Sequence, residues 1–190
     1  MLTLFISTYN DYVLIGLLKN GKKIDEVCEL SKKGHSTLLV PSIDKILKDN
    51  NIDSKDLNEI IVVSGPGSFT GVRLGITVAK TLAYTLNIPI KEITSIEAIA
   101  SNILEENKII TINDPKGKYI GKFINNKLKD LIYLKEEEAL KYLSDNKLPI
   151  FNTEKIDIEK MYTYTKDLPT IPAHAVKAVY IKEIEALHGK

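Results

Sequence analysis

Arginine is nearly missing from this sequence: of its 26 basic residues only Arg73 is arginine, the rest being lysine. An AT-rich coding sequence produces such a bias without any structural cause, so the one exception invites a closer look. Cysteine is equally scarce. The single Cys28 cannot form an internal disulfide, and near the end of a strand it reads as a small core residue. None is needed, because a chain of 190 residues buries roughly 70% of its unfolded surface without staples. Charge of one sign is absent too. With 26 basic against 25 acidic side chains and a net charge of +1, the chain as a whole has no electrostatic basis for nucleic-acid binding, although a local basic patch remains possible. No apolar run approaches the ~20 residues needed to cross a bilayer. Met1 to Ile6 is apolar but too short for a signal-peptide core and lacks a basic start. A cytoplasmic protein without a membrane partner is the expectation.

Catalytic constellations are missing as well. His35, His174 and His188 lie in separate regions with no metal-ligand spacing, and no Gly-x-Ser-x-Gly elbow occurs. Glu136-Glu137-Glu138 reads as the acidic first turn of a helix.

What is present is a repeated pattern. Leu2 to Ser7, Tyr12 to Lys19 and Lys22 to Leu30 are short apolar-rich runs separated by turn residues, including Asn20-Gly21, the strongest short-range hairpin signal. From Ser36 to Asn50 the period changes: Leu39, Ile43, Ile46 and Leu47 form a helical stripe, with Pro41 marking a kink or a later start. Glu59 to Ser64 fits a strand buried on both faces. The loop Gly65 to Gly71 leads into a helix ending near Leu86, followed by a strand over Ile90 to Ile93 and a helix over Ser95 to Leu104. A second, smaller cycle follows: strands over Ile109 to Asn113, Lys118 to Ile124 and Leu128 to Leu134, a helix over Glu136 to Leu143, a short strand over Pro149 to Asn152, and a helix over Ile156 to Thr165. Ala175 to Leu187 reads as a C-terminal helix, though Val179-Tyr180-Ile181 fits an extended segment equally. Two such cycles imply a duplicated α/β architecture, the actin-like arrangement of two ribonuclease-H-like lobes, residues 1–104 and a reduced second lobe, 105–190.

The most informative stretch is Gly65-Pro66-Gly67-Ser68-Phe69-Thr70-Gly71, between strand and helix. Backbone amides there can cradle an anion. Yet the loop lacks both the Gly-Lys-Ser/Thr ending of a P-loop and the spacing of a dinucleotide fingerprint. The plainer reading is a tight turn, with Phe69 plugging the core and Ser68 or Thr70 capping the helix. On the following helix Arg73, Thr77, Lys80 and Tyr84 share a narrow polar arc, while the apolar arc is too wide for one sheet. Gly75, Ala79 and Ala83 form a flat ridge suited to close helix packing, either within the chain or against a partner.

The run Gly65 to Gly75 resembles the signature of the bacterial TsaB (YeaZ) family. His35-Ser36, Val40-Pro41, Pro89 and Ser95-Ile96-Glu97-Ala98 agree with it. The resemblance covers roughly Met1 to Ala100. Beyond, it rests on Asp114 to Tyr119 and on Val179-Tyr180-Ile181-Lys182, where the family favours arginine in place of Lys182. It implies the actin-like ATPase (ASKHA) fold and a non-catalytic subunit that pairs through its first two helices with TsaD, the catalytic subunit. With the ATPase TsaE, that pair transfers a threonylcarbamoyl group to the adenosine beside the tRNA anticodon. The implied interface comprises Leu38, Leu39, Ile43, Val72, Gly75, Ile76, Ala79 and Ala83, and the chain alone can self-associate. Nucleotide and metal are expected on TsaD and TsaE, and tRNA contact through the complex. The catalytic relative holds its metal with two histidines four apart; here Leu39 follows His35 at that distance. Ser7-Thr8 stands where actin-like ATPases carry aspartate, which argues against a phosphotransferase or ATPase built on the Gly65 to Gly71 loop. For a peptidase the sequence offers no nucleophile with a base and no metal ligands. Arg73 is expected to fix the loop or the subunit contact.

Overall fold

The computed structural model describes residues 1–31 and 34–182. Its first sheet has five strands: β1 (Leu2–Ser7), β2 (Tyr12–Lys19), β3 (Lys22–Leu30), β4 (Glu59–Val63) and β5 (Ile90–Ile93), in the order β3-β2-β1-β4-β5. The Asn20-Gly21 turn joins β2 to β3 with both residues at positive φ, 54° and 79°, the conformation its composition favours. The pairs β1–β4 and β4–β5 are parallel, so each needs a helical crossover. These are α1 (His35–Asp49) and α2 (Phe69–Leu86). Covered on both faces, β4 is buried along its whole length, which is why it reads as an unbroken apolar run. Pro41 neither stops nor delays α1; it is exposed, as is Thr37 one turn earlier, so the carbonyl it leaves unpaired can reach water.

The second sheet repeats the plan on a smaller scale. Strands β6 (Lys108–Asp114), β7 (Gly117–Ile124), β8 (Lys127–Lys135) and β9 (Ile150–Phe151) take the order β8-β7-β6-β9, with β6–β9 parallel. Between β8 and β9 lies α4 (Glu136–Asp145). An antiparallel meander followed by a helix and a parallel strand thus occurs twice, as expected of the actin-like fold.

The two sheets meet at α3 (Ser95–Ala100). Ile96 packs so closely on Gly121 of β7 that any side chain there would collide with it. Lys108 is buried, and its Nζ donates to the Ala100 and Ile103 carbonyls, at 2.9 and 2.7 Å, and to Asn126 Oδ1. That cap explains why α3 stops at Ala100 rather than running to Leu104: its final carbonyls are taken by an ammonium instead of by further turns. One continuous apolar core includes Ile110, Ile112, Tyr119 and Phe123 together with the interior of the first sheet.

The described residues from 105 to 182 divide between the sheets. Helix α5 (Ile158–Thr165) returns to the first one, with Ile158 against Gly16 and Tyr162 against Gly21. Its C-terminal end is held by the buried Lys91, whose Nζ donates to the Thr165 and Lys166 carbonyls and pairs with Glu59 at 3.2 Å. From Ile171, bridged to Ile90, the chain continues as a strap. Apart from a short 3-10 turn over Ala173–Ala175 it forms no helix or strand as far as Lys182. The helix expected over Ala175 to Leu187 therefore does not form in its described part, and 183–187 lie outside the described residues. The cause is local: the Val179 amide donates to the Ser64 carbonyl at 2.8 Å, so the backbone pairs with the end of β4 instead of with itself. Cys28 also departs from expectation. It is exposed because β3 is an edge strand, where Val27 faces inward and its neighbour outward.

Candidate functional site

The glycine-rich turn is a joint between β1 and α2. The Gly65–Pro66 bond is cis, and Gly65 takes φ of 94°, open chiefly to glycine. Gly67 and Gly71 lie so close to the Tyr9 and Thr8 carbonyls that a Cβ on either would overlap backbone oxygen. Hydrogen bonds close the joint: Ser68 N–H to the Tyr9 carbonyl at 2.6 Å, Thr8 Oγ1–H to the Gly71 carbonyl at 2.7 Å, and Ser95 N–H to the Gly65 carbonyl at 2.8 Å. Ser95 Oγ also donates to the Pro66 carbonyl at 2.5 Å. Ser68, not Thr70, caps α2, its Oγ accepting from the Gly71 amide at 3.2 Å. Thr70 is exposed in the first turn.

Phe69 does not plug the core. Half-exposed at 50%, it lies under the Arg73 guanidinium, 3.6 Å from the ring centroid, and 5.7 Å from the Tyr180 ring. Arg73 Nε also donates to the Tyr180 hydroxyl. The lone arginine thus clamps the strap to the start of α2, a planar contact that an ammonium cannot reproduce. Lys80 adds a second tie, donating to the His174 and Val176 carbonyls, each at 3.2 Å.

Beyond Tyr180 the strap crosses a cleft of about 630 Å³ between the two sheets. Its walls are the β1–β2 turn with Asn10 and Asp11, the start of α2, the β6–β7 hairpin with Asp114 and Lys116, and Glu154. Lys182 closes the far side, its Nζ 2.7 Å from Asp114 Oδ1, which also accepts from the Tyr133 hydroxyl at 2.9 Å and the Lys116 amide at 3.1 Å. Burial alone would raise the Asp114 pKa; the hydrogen bonds from Lys182, Lys116 and Tyr133 outweigh it and hold the carboxyl below its usual range. The same contact, chiefly its hydrogen bond, raises the pKa of Lys182. Burial and then Glu154 push the Tyr9 phenol far up.

At the end of β1 stand Ser7 and Thr8, both buried, and the Thr8 hydroxyl is committed to Gly71. His35 is buried with its Nε2 2.7 Å from the Asn10 carbonyl and its ring beside Ser31 Oγ, so it orders the β1–β2 turn. Leu39, one turn on, is fully buried. No group of three or more histidine, cysteine, aspartate or glutamate side chains is placed to hold a metal ion among the described residues. No helix among them is long and apolar enough to cross a membrane.

The residues expected at the helix face need redrawing. Leu39, Ile43, Val72, Gly75, Ile76, Ala79 and Ala83 are all buried within the chain, under the sheet, the neighbouring helix and the strap. Leu38 alone of that set is only partly buried. The adjoining stripe Leu74, Val78 and Leu82 of α2, spaced by four, is likewise partly buried and lies at the rim of the core, near Leu38 and the exposed Val40 and Pro41 of α1. Sequence reasoning offered an extended Val179-Tyr180-Ile181 as one of two readings, but missed the course of the strap, the Asp114–Lys182 tie and the lysines at Lys91 and Lys108.

Comparison with known proteins follows the same outline. The family model described as TsaD, tRNA N6-adenosine threonylcarbamoyltransferase, matches residues 26–120, half of the chain. The tRNA threonylcarbamoyladenosine biosynthesis protein TsaB of Bacillus subtilis (strain 168) is 43% identical over 102 residues, 54% of this chain and 44% of that protein. TsaB of Buchnera aphidicola subsp. Schizaphis graminum is 33% identical over 128 residues, 65% of this chain and 60% of that protein. The chain thus spans about half the length of these relatives. YeaZ from Pseudomonas aeruginosa shares the fold with a TM-score of 0.77 at 16% identity, covering 94% of this chain and all of that one.

Proposed function

Because the chain belongs to the TsaD family and is similar to its TsaB members, we propose that it is a non-catalytic platform subunit in tRNA threonylcarbamoyladenosine formation. Its partner is a TsaD-type catalytic subunit, met through α1 and α2, with a TsaE-type ATPase completing the assembly in the cytoplasm. Nucleotide and metal belong to those partners, tRNA is engaged through the complex, and the same face serves a homodimer when the chain is alone.

The observation that carries this reading is the division of labour within α2. One flank is spent on the core and the strap, whereas Leu74, Val78 and Leu82 form an apolar row that packs on the core at its edge and stays only partly covered. Chemistry within the chain finds less support, since the hydroxyls nearest the glycine-rich turn already serve backbone carbonyls and a helix cap. The alternative is a small actin-like phosphotransferase using residues 65–71, and it needs that cleft to bind nucleotide despite Ser7 and Thr8.

Reconstitution separates the two. With a TsaD-type subunit, a TsaE-type ATPase, threonylcarbamoyl-adenylate and tRNA, incorporation of the threonylcarbamoyl group should require this chain, and the chain alone should not turn over ATP. Full incorporation without it, or nucleotide turnover by it alone that Gly67→Val abolishes, would overturn the platform reading.

A further inference from the structure

We propose that the strap is a releasable clasp across the cleft, fixed firmly to the first sheet and its helices and held to the second sheet through the side chain of Lys182. Its two ends differ in kind. Toward the first sheet the ties run through the strap's backbone: the Ile171 amide donates to the Ile90 carbonyl at 2.9 Å and the Val179 amide to the Ser64 carbonyl at 2.8 Å. Lys80 holds the His174 and Val176 carbonyls, Val176 is buried, and Arg73 grips Tyr180. Toward the second sheet the tie is the Lys182 Nζ, 2.7 Å from Asp114 Oδ1 and 5.0 Å from the Tyr133 ring.

That second tie is built to let go. Breaking an ion pair is costly where it strands a buried charge, as it would at Lys91, whose side chain is 11% exposed opposite Glu59 at 5%. Lys182 is 32% exposed and reaches water on release. Asp114 then keeps the Tyr133 hydroxyl at 2.9 Å and the Lys116 amide at 3.1 Å, so neither partner is left uncompensated. A partly solvated pair of this kind shifts an equilibrium only about 2- to 5-fold. The joint on the other side of the molecule turns that small difference into movement. There α3 links the sheets, through Ile96 against Gly121 and through Lys108 on the Ala100 and Ile103 carbonyls. No residue of α3 is among those lining the cleft, so the described residues place the pivot at α3 and the opening away from it. With Lys182 released, the β6–β7 hairpin can turn about α3 and uncover Phe69 and Val72 on one wall, Ile112 and Tyr119 on the other. The clasp is independent of the platform reading.

The test measures the distance across the cleft in the full chain. Nitroxides on Thr70→Cys and Glu137→Cys, both exposed positions, in a Cys28→Ser background report it by double electron–electron resonance. Lys182→Met should raise the ratio of the longer to the shorter distance about 2- to 5-fold. Lys182→Arg keeps a donor for Asp114 and should restore the parent ratio, and Lys129→Ala, an exposed lysine elsewhere on the second sheet, should leave it unchanged. Hydrogen exchange supplies the second readout: in Lys182→Met the Val179 amide should stay as protected as in the parent, because the clasp opens at its far end only. A distance distribution indifferent to Lys182→Met, an Arg variant that opens as far as the Met variant, or loss of Val179 protection in Lys182→Met would overturn the proposal. The last result would mean that the strap peels away whole.

Discussion

Replacing Gly71 with alanine isolates the joint on which the site depends. In a free helix the change would be favourable by about 1 kcal/mol, since alanine is the better helix former. Here the added methyl would overlap the Thr8 carbonyl oxygen, which belongs to the segment following β1 and cannot swing aside as a side chain could. Either α2 must lift from β1 or the turn must open. Overpacking of this kind costs about 1–3 kcal/mol. Separation also weakens the Thr8 hydroxyl's bond to Gly71 and the Ser68 cap, each worth about 1 kcal/mol. Set against the helix-propensity gain, the net loss is about 1–4 kcal/mol, which lowers the melting temperature of a domain this size by roughly 2–16 °C at about 2–4 °C per kcal/mol. Gly75→Ala is the comparison: there the new methyl meets chiefly the Thr8 hydroxyl, a side-chain group that can yield by giving up its bond to Gly71, at a cost of about 1 kcal/mol. Urea unfolding of the three proteins measures the difference. A Gly71→Ala protein as stable as the parent, or less affected than Gly75→Ala, would refute the argument that close approach dictates this glycine.

Further consequences are open to similar checks. Lys91→Met leaves Glu59 buried without its partner and frees the Thr165 and Lys166 carbonyls; denaturant unfolding should show a loss of about 3–5 kcal/mol, with part of it recovered in the Glu59→Gln, Lys91→Met double variant. Arg73→Lys keeps the charge but loses the planar stack on Phe69 and Tyr180, so hydrogen exchange should quicken over 176–182 while global stability changes little; unaltered protection there would sink the clamp. Tyr9, Tyr119, Tyr133, Tyr142, Tyr162 and Tyr164 are all raised by burial above the ordinary phenol range. Folded phenols stay protonated where unfolded ones ionise, so stability should be intact below pH 10 and fall progressively above it. For Asp114, with its pKa lowered in the fold, the contribution is present above the usual carboxylate range and lost on acidification, so Asp114→Asn should flatten that acid limb.

Much of the fold was legible because its determinants are local. Asn20-Gly21 and Asn125-Asn126 announce hairpins, and all four residues take positive φ. Residues 59–63 announce a strand covered on both faces. The strap was not legible, because a helix-compatible composition over 175–187 gives no sign that Val179 has a carbonyl waiting at Ser64. Nor can an amphipathic pattern say who covers an apolar face. On α2 the widest arc proved to be covered by the chain itself, and only Leu74, Val78 and Leu82 at its edge stay partly uncovered. Phe69 misled for a related reason: aromatics are usually buried, but this one is a platform for the only arginine.

That redrawn face gives the most direct test of the platform reading. Titrating the chain with a purified TsaD-type subunit, by calorimetry and by light scattering after size exclusion, should yield a defined heterodimer. Val78→Glu, which sets a carboxylate in the middle of the partly buried row at the rim of the core, should abolish it while leaving the fold intact by circular dichroism. A parent chain that forms no complex, or a complex that survives both Val78→Glu and Leu82→Glu, contradicts the account.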